Sequence, residues 1–394
     1  MIIYPDYIDE IITRFENAGE RAYIVGGSLR DLIIGLPPHD FDIATSALPE
    51  KTAALFSDKR VIETGIKHGT VTVLWNGEPI EITTFRVDGD YTDARHPNSV
   101  SFTSEIEKDL SRRDFTVNAM AYNKRDGLVD VFGGESDIKA KVIRAVREPQ
   151  VRFSEDALRI MRAFRFCAQL GFEIDAPTLD AAEECAPLLV RVARERIGAE
   201  FLRLICSENA AHALQSMIER GVMSYVLDGY TPSSKLVRAI SRVEAEPISR
   251  LALLLSEADA DTARSLLESL RCSTKQITGT VAIMRGACER VESELDARRL
   301  IAKTGIYAVA AAELSEALCV SDAGAVSLVK RQMDTPSSVG DLAVNGKDIA
   351  DLGAKGKAIG EVLDALLKVV IDDPALNSRE ALLALARKIL KKDV

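Results

Sequence analysis

Apolar positions along the first third of the chain switch repeatedly between two periods. Residues 5–18 space Ile8, Ile11, Ile12 and Phe15 as one stripe of an amphipathic helix. "RAYIV" is a short apolar run, a buried strand ended by Gly26 and Gly27. Ser28 is placed to cap a short helix that stops at Gly35, ahead of Pro37 and Pro38. "DFDIA" is the second strand. "TVTVLW" and "EPIEITTF" alternate about Asn76-Gly77, the preferred pair for a two-residue hairpin turn. "AMAYN" and "LVDVF" form another strand pair about Asp126-Gly127. These elements predict an α/β unit, a small mixed sheet with flanking helices, ending near residue 140.

After "KVIRAVREP" the strand signals nearly vanish, and leucine- and alanine-rich helical periods run to Leu390. Gly171, Pro187, Gly221, Pro232, Pro247 and "DTPSSVGD" punctuate them. Arg144 to Arg203 is a basic helical connector, and the remainder is an all-helical body and tail. "DGDYTDARHP", Asp88 to Pro97, carries neither period and predicts a mobile loop. There is no internal repeat.

Length adds a domain count. At 394 residues the chain exceeds one ordinary domain, and roughly two to four are expected. No run of 18 or more apolar residues occurs, which speaks against a membrane span. The start lacks a basic region before an apolar core, so no secretory signal is expected. Six cysteines without CxxC spacing argue for reduced, buried thiols in a cytoplasmic protein, not for zinc. A net charge of −10 disfavours indiscriminate nucleic-acid binding. Locally the balance reverses: Arg144 to Phe166 holds six arginines against Glu148, Glu155 and Asp156. A local basic surface is what phosphate binding needs.

The candidate chemistry starts at "GGSLRDLIIGLPPHDFDIA". Alternation on a strand aims Asp40 and Asp42 the same way, about 5–7 Å apart. Two such carboxylates repel unless divalent cations sit between them. Gly26 and Gly27 let a backbone approach a triphosphate closely and offer it N–H donors. Arg30, one turn on, adds a charge-assisted phosphate contact. Asp40 and Asp42 would then ligate two magnesium ions, which activate a 3′-hydroxyl and stabilise departing pyrophosphate. The plain alternative is a glycine turn followed by a solvated acidic strand end.

The combination resembles the DNA polymerase β-like nucleotidyltransferase superfamily, whose members often draw a third carboxylate from a neighbouring strand. Glu81 in "PIEITTF" is the candidate, or else an exposed hairpin glutamate. "DLSRRDFTVNAMA" adds either an exposed Arg112–Asp114 ion pair, worth little, or functional groups. In the functional case Arg113 meets phosphate while Asp114 and Asn118 fix the ribose hydroxyls. With "GGxxRD" and "DxD" upstream, the chain resembles class II tRNA nucleotidyltransferases, the CCA-adding enzymes and their bacterial poly(A) polymerase relatives.

"SEDALRIMRAFRF" places Asp156, Arg159, Arg162 and Arg165 at successive threes, neighbours on a helix. Cytosine and adenine each present an amino donor beside a ring-nitrogen acceptor; uracil and guanine present the reverse. A carboxylate beside a guanidinium therefore matches C and A and rejects U and G. Asp156 would accept from the amino group and Arg159 would donate to the ring nitrogen. Steps of three drift by about 60° each, which turns Arg165 roughly opposite Asp156. Arg162 then reaches sugar or triphosphate, whereas Arg165 braces the fold or meets RNA. A basic amphipathic helix is the alternative.

"ERIGAEFLRLI" resembles the family's later helical motif, a support for the neck. "LAVNGKDIADLGAKGKAIGEVLDALL" resembles the tail of the short Gram-positive bacterial type. There Gly353, Gly356 and Gly360 with Lys355 and Lys357 suggest either a tRNA-phosphate turn or a plain helix cap. The four histidines are scattered, so a histidine–aspartate phosphohydrolase domain is not expected. The resemblance implies a nucleotidyltransferase head (1–140) and an all-α neck (141–205), body (206–330) and tail (331–394). It implies a monomeric or homodimeric enzyme that adds CCA to tRNA, held by its 3′ end and its acceptor and T arms, from CTP and ATP with magnesium. Versions in that family that stop after CC lack a loop at the place of Asp88 to Pro97, which speaks for A addition here. The rivals are an enzyme adding only A, a poly(A) polymerase, and a non-catalytic RNA-binding protein.

Overall fold

The computed structural model describes residues 2–62, 65–66, 69–89 and 100–392. Residues 90–97 of the expected loop lie outside the described residues. The chain divides into two compact units, Met1–Thr231 and Pro232–Val394.

The first unit opens with α1 (Asp6–Asn17), β1 (Ala22–Val25), α2 (Gly26–Ile34) and β2 (Asp42–Thr45). Next come α3 (Pro49–Leu55), β3 (Arg60–Ile62), β4 (Thr70–Trp75), β5 (Glu78–Thr84) and a ribbon of β6 (Arg86–Asp88) with β7 (Val100–Phe102). The sheet region closes with α4 (Ile106–Ser111), β8 (Ala121–Asn123), β9 (Gly127–Val129), α5 (Gly134–Ala140) and β10 (Val142–Ile143). Seven strands form one sheet in the order β3-β4-β5-β2-β1-β8-β9. Only β2 and β5 pair in parallel, so the sheet is mixed.

Local pattern explains most of this. The α1 stripe of Ile8, Ile11, Ile12 and Phe15 is buried. In the hairpin, Val71, Val73, Ile80 and Ile82 face the core while Glu81 turns outward. Asn76 and Gly77 both adopt the left-handed backbone that a two-residue hairpin turn needs, at φ 53° and 91°. Tyr23, Val25, Ala44, Phe85, Leu110 and Ala121 share one core cluster.

Two local expectations are corrected. Ser28 does not cap α2, because the helix already starts at Gly26. The Ser28 hydroxyl instead donates to Val25 O at 2.9 Å and receives Asp42 N at 3.4 Å, tying α2 to β2. The second strand spans only Asp42–Thr45, so Asp40 sits in the bend before it, not on it.

The connector holds α6 (Pro149–Glu155), α7 (Leu158–Leu170), β11 (Glu173–Ile174), α8 (Ala176–Cys185), α9 (Arg194–Ile205), α10 (Ala210–Glu219) and α11 (Met223–Val226). Its two-residue β11 pairs in parallel with β10, a feature too short to show a period. Asp156 falls in the break between α6 and α7 with extended backbone, so it does not share a helix with Arg159. Asn209 N donates to Ala168 O at 3.1 Å, and α10 packs on α7.

Among its described residues the second unit is all helical: α12 (Ser234–Ala239), α13 (Pro247–Leu254), α14 (Ala260–Ser269), α15 (Thr274–Ala287), α16 (Glu294–Thr304), α17 (Ala308–Ala317) and α18 (Ala325–Gln332). Its C-terminal helices are α19 (Gly346–Asp351), α20 (Lys357–Asp372) and α21 (Arg379–Lys392). They share a core of Ile349, Val362, Leu366, Val370 and Leu382. Gly353 and Gly356 take positive φ between α19 and α20, whereas Gly360 lies inside α20 and is no part of the turn.

Gly134 carries a packing constraint of its own. A Cβ there would lie 2.3 Å from Thr116 O, on the 3₁₀ turn Thr116–Asn118. Alanine usually improves a helix start, but here it forces α5 off that turn. Gly134→Ala should cost about 1–3 kcal/mol, seen as a lower urea midpoint; an unchanged or higher midpoint refutes the close-approach argument.

Candidate active site

All thirteen residues singled out from the sequence line one cavity of about 600 Å³ in the first unit. Gly26, Gly27 and Arg30 come from the start of α2, Asp40 and Asp42 from the bend and start of β2, and Glu81 from β5. Arg113, Asp114 and Asn118 come from the segment after α4, and Asp156, Arg159, Arg162 and Arg165 from α7 and the break before it. Arg112, Phe166 and Arg196 also stand in its wall. Seven arginines against five carboxylates leave an excess of two positive charges, on a chain whose net charge is −10. A polyphosphate has its counter-charge here. A larger groove of about 1660 Å³ shares Asp40 but is lined by Tyr7, Leu36, Phe41 and other mostly apolar residues without lysine or arginine. It offers a phosphate nothing.

The carboxylates gather at one end. Parallel pairing puts Asp42 opposite Glu81, so the two side chains rise on the same face of the sheet. Burial and the neighbouring Asp40, with a smaller push from Glu81, raise the Asp42 pKa to about 6 against the partial relief of Arg113. Surplus negative charge of this kind suits a cation. All three donors are hard oxygens, matched to a hard divalent cation rather than to a thiolate metal. Among the described residues no group of three or more acidic, histidine or cysteine side chains is placed to hold a metal ion by itself.

Asp114 sits at the centre of the arginine-rich part. One of its oxygens accepts from Phe115 N at 2.8 Å and Asn118 Nδ2 at 3.2 Å; the other meets Arg162 at 2.6 Å. Burial alone would raise its pKa, but Arg162, aided by Arg159 and the Phe115 N–H, outweighs that and holds it at about 2. Asn118 Oδ1 accepts from Arg30 at 2.8 Å. Arg30, Arg162 and Arg165 all approach the Phe166 ring, the last at 3.9 Å from its centroid. Arg113 leans on Asp109 at 3.1 Å and leaves its buried Nε without a hydrogen-bond partner. Its Nη1 lies 3.2 Å from where a Cβ on Gly26 would be, and Gly26 has φ +72°, so only glycine fits there.

Partners differ from the simplest expectation at three places. Arg112 pairs with buried Asp109 at 2.8 Å, a partner the sequence did not suggest. Asp156 accepts from Leu158 N at 3.1 Å and from Arg196 at 2.9 Å. Arg159 donates to Glu155 at 2.8 Å and to Arg112 O at 2.9 Å. Arg165 braces the fold through buried Glu200 on α9 at 2.5 Å. The pattern of "ERIGAEFLRLI" suggests support alone, yet Arg196 within it reaches the cavity. Its signal in the sequence is a basic residue inside a motif already assigned to this neighbourhood. Asp109 escapes sequence reasoning because an acid in an exposed-looking "EKDLSRRD" run announces no burial.

Residues 22–144 match the family model of the poly A polymerase head domain, and 171–233 the model described as "Probable RNA and SrmB- binding site of polymerase A". Residues 243–386 match the tRNA nucleotidyltransferase domain 2 model. The CCA-adding enzyme of Geobacillus stearothermophilus is 36% identical over 384 residues, 95% of this chain and 94% of that enzyme. That of Ligilactobacillus salivarius is 35% identical over 393 residues, covering 98% and 96%. This chain belongs to the CCA-adding enzymes. The crystal structure of the Bacillus stearothermophilus CCA-adding enzyme in complex with CTP superposes with a TM-score of 0.86 at 32% identity over 99% of each chain. Like other nucleotidyltransferases, CCA-adding enzymes depend on a divalent metal.

The raised pKa of Asp42 makes this family member's stability respond to pH in a defined direction. Below about pH 4 the carboxyl is protonated in folded and unfolded chains alike, and no difference arises. Above about pH 6 it is ionised in both, and the folded state alone bears the cost. In metal-free buffer Asp42→Asn should therefore raise the melting temperature at pH 8 and leave it unchanged at pH 4. A variant that melts lower at pH 8 would mean that Asp42 is stabilised, not strained, by its surroundings.

Proposed function

We propose that this chain adds C, C and A in turn to the 3′ end of tRNA from CTP and ATP, without a nucleic-acid template, releasing pyrophosphate at each step. The observation that carries this is the meeting of an acidic lip, an arginine-lined bowl and a carboxylate–guanidinium pair in one cavity. Asp40 and Asp42, with Glu81 beside them, would hold magnesium, which when bound supplies charge neutralisation and an activated 3′-hydroxyl. Arg30, Arg113 and the glycine-started α2 bind the triphosphate, with the Arg113 guanidinium standing beside Gly26 at the start of that helix. Asp114 and Asn118 fix the ribose. Arg162 steadies Asp114 and adds positive charge to the bowl.

Base choice rests on Asp156 and Arg159, both locked from behind. Arg196 orients the Asp156 carboxylate, while Glu155 and Arg112 O orient the Arg159 guanidinium. Rigid groups reject a mismatched edge more sharply than mobile ones, because the unpaired donor or acceptor is then left buried. Uracil and guanine would put donor against donor and acceptor against acceptor.

In this reading residues 1–140, 141–205, 206–330 and 331–394 serve as head, neck, body and tail, with α10 packed on α7 and α9 of the neck. The tail and body hold the tRNA, and both a monomer and a homodimer are compatible with the site. The six cysteines are free, which suits the cytoplasm, where tRNA and triphosphates meet, though against expectation only Cys167 and Cys185 are buried, while Cys288 and Cys319 are exposed. No helix among the described residues is long and apolar enough to cross a membrane.

Purified protein given tRNA that ends at the discriminator base should incorporate CC with CTP alone and CCA with both nucleotides. Incorporation of A alone, or of a long A run, would replace this reading with one of its rivals. Asp40→Ala or Asp42→Ala should remove transfer by at least about 10³-fold while leaving tRNA affinity near that of the native protein. Separately, Asp156→Ala should weaken CTP and ATP use together. Loss of only one nucleotide would show that the two bases are read by different acceptors.

A further inference from the structure

In the helical unit, far along the sequence from the active cavity, α14, α15 and α16 enclose a second cavity of about 350 Å³. Arg264, Arg285 and Lys303 converge on it over a floor of Val281 and Ala282. All three cations are exposed. Lys303 has an anion, Glu289, and also donates to Arg285 O at 3.3 Å. Arg264 and Arg285 form no ion pair or side-chain hydrogen bond with any described residue. Elsewhere in the same unit, Arg290, Arg299 and Arg379 are matched to Asp322, Asp372 and Asp348.

Helix-end electrostatics account for part of the cluster. Arg285 and Lys303 stand in the last turns of α15 and α16, where a positive charge meets the negative end of the helix dipole. Arg264 is in the middle of α14 and gains nothing from a helix end. It brings a third like charge to a cavity whose lining holds no carboxylate.

We propose that this cavity is a seat for a backbone phosphate of the RNA substrate, gripped by Arg264 and Arg285 with Lys303 at its edge. The inference rests on the reading of tRNA as the substrate. An RNA phosphodiester fits better than a small free anion. Small-molecule sites bury their ligand among enclosed polar groups, and here Thr278 and Thr304 already spend their hydroxyl protons on Thr274 O and Leu300 O. Open guanidiniums instead suit a phosphate that arrives attached to a large polyanion, where counterion release drives binding. On a chain of net charge −10, such local cations must carry the RNA affinity.

The test uses the full chain, tRNA lacking its terminal CCA, and the double variant Arg264→Ala, Arg285→Ala. Its tRNA dissociation constant should rise about tenfold near physiological salt, and the log–log salt slope should become shallower by roughly one to two. Turnover at saturating tRNA, the KM for CTP and the melting temperature should not move. A paired Arg→Lys variant should recover most of the affinity. Should the alanine pair melt lower, the paired Arg→Gln variant, which keeps the side-chain stems, is read in its place. Unchanged tRNA affinity and salt slope would overturn the proposal. So would inorganic phosphate raising the native melting temperature through these arginines while the variant binds tRNA normally, since that marks a free-anion site. Failure of the native protein to bind or extend tRNA would instead overturn the functional reading, not this one alone.

Discussion

The buried contact between Asp114 and Arg162 is the constraint on which the rest of the active cavity hangs. Asp114 belongs to the sheet region and Arg162 to α7, and their 2.6 Å contact joins the two through desolvated charge. A buried ion pair is costly to form unless its remaining hydrogen-bonding capacity is filled. Here it is filled: Phe115 N and Asn118 Nδ2 take the second oxygen of Asp114. Arg159 adds a second tie by donating to Arg112 O. With these in place, α7 has one orientation over the sheet, and Asp156 and Arg159 line the same cavity as Arg30 and Arg113.

Charge within the cavity is segregated, not merely abundant. At the lip, burial first, then Asp40 and more weakly Glu81, makes Asp42 resist ionisation, a cost that a cation would relieve. A few residues away the balance is the opposite, with three guanidiniums around Phe166 alone. Gly26 lies on the boundary, close to both Arg113 Nη1 and Asp42 Oδ2. Its missing side chain leaves the space in which a triphosphate could bridge the two zones.

Support for these groups comes from residues that do no chemistry. Asp109 is buried and gathers Arg112, Arg113 and the backbone N–H of Arg86, so it links α4 to the base of the β6–β7 ribbon. Glu200 fixes Arg165, and through α9 it keeps Arg196 beside Asp156. Each of these acids is matched to a cation that would otherwise compete for the nucleotide's negative charge or drift from its place.

Short-range spacing made much of this legible. The α1 stripe, the Asn76-Gly77 hairpin, the double glycine ahead of Asp40 and Asp42, and the arginines three apart after Asp156 are all encoded within a few residues of one another, and the family resemblance arises from them. Periodicity settles which face a residue takes, and spacing settles which chemical groups are offered. Who pairs with whom was decided only by the tertiary structure. Asp42 meets Glu81 because β2 and β5 pair in parallel. Asp156 leaves the helix to meet Arg196, and Arg112 turns to Asp109. Gly134 is required by a turn that precedes it in the chain and presses against it in space. Those choices depend on burial and on like charges finding separate partners across elements distant in sequence, and no local period carries that information.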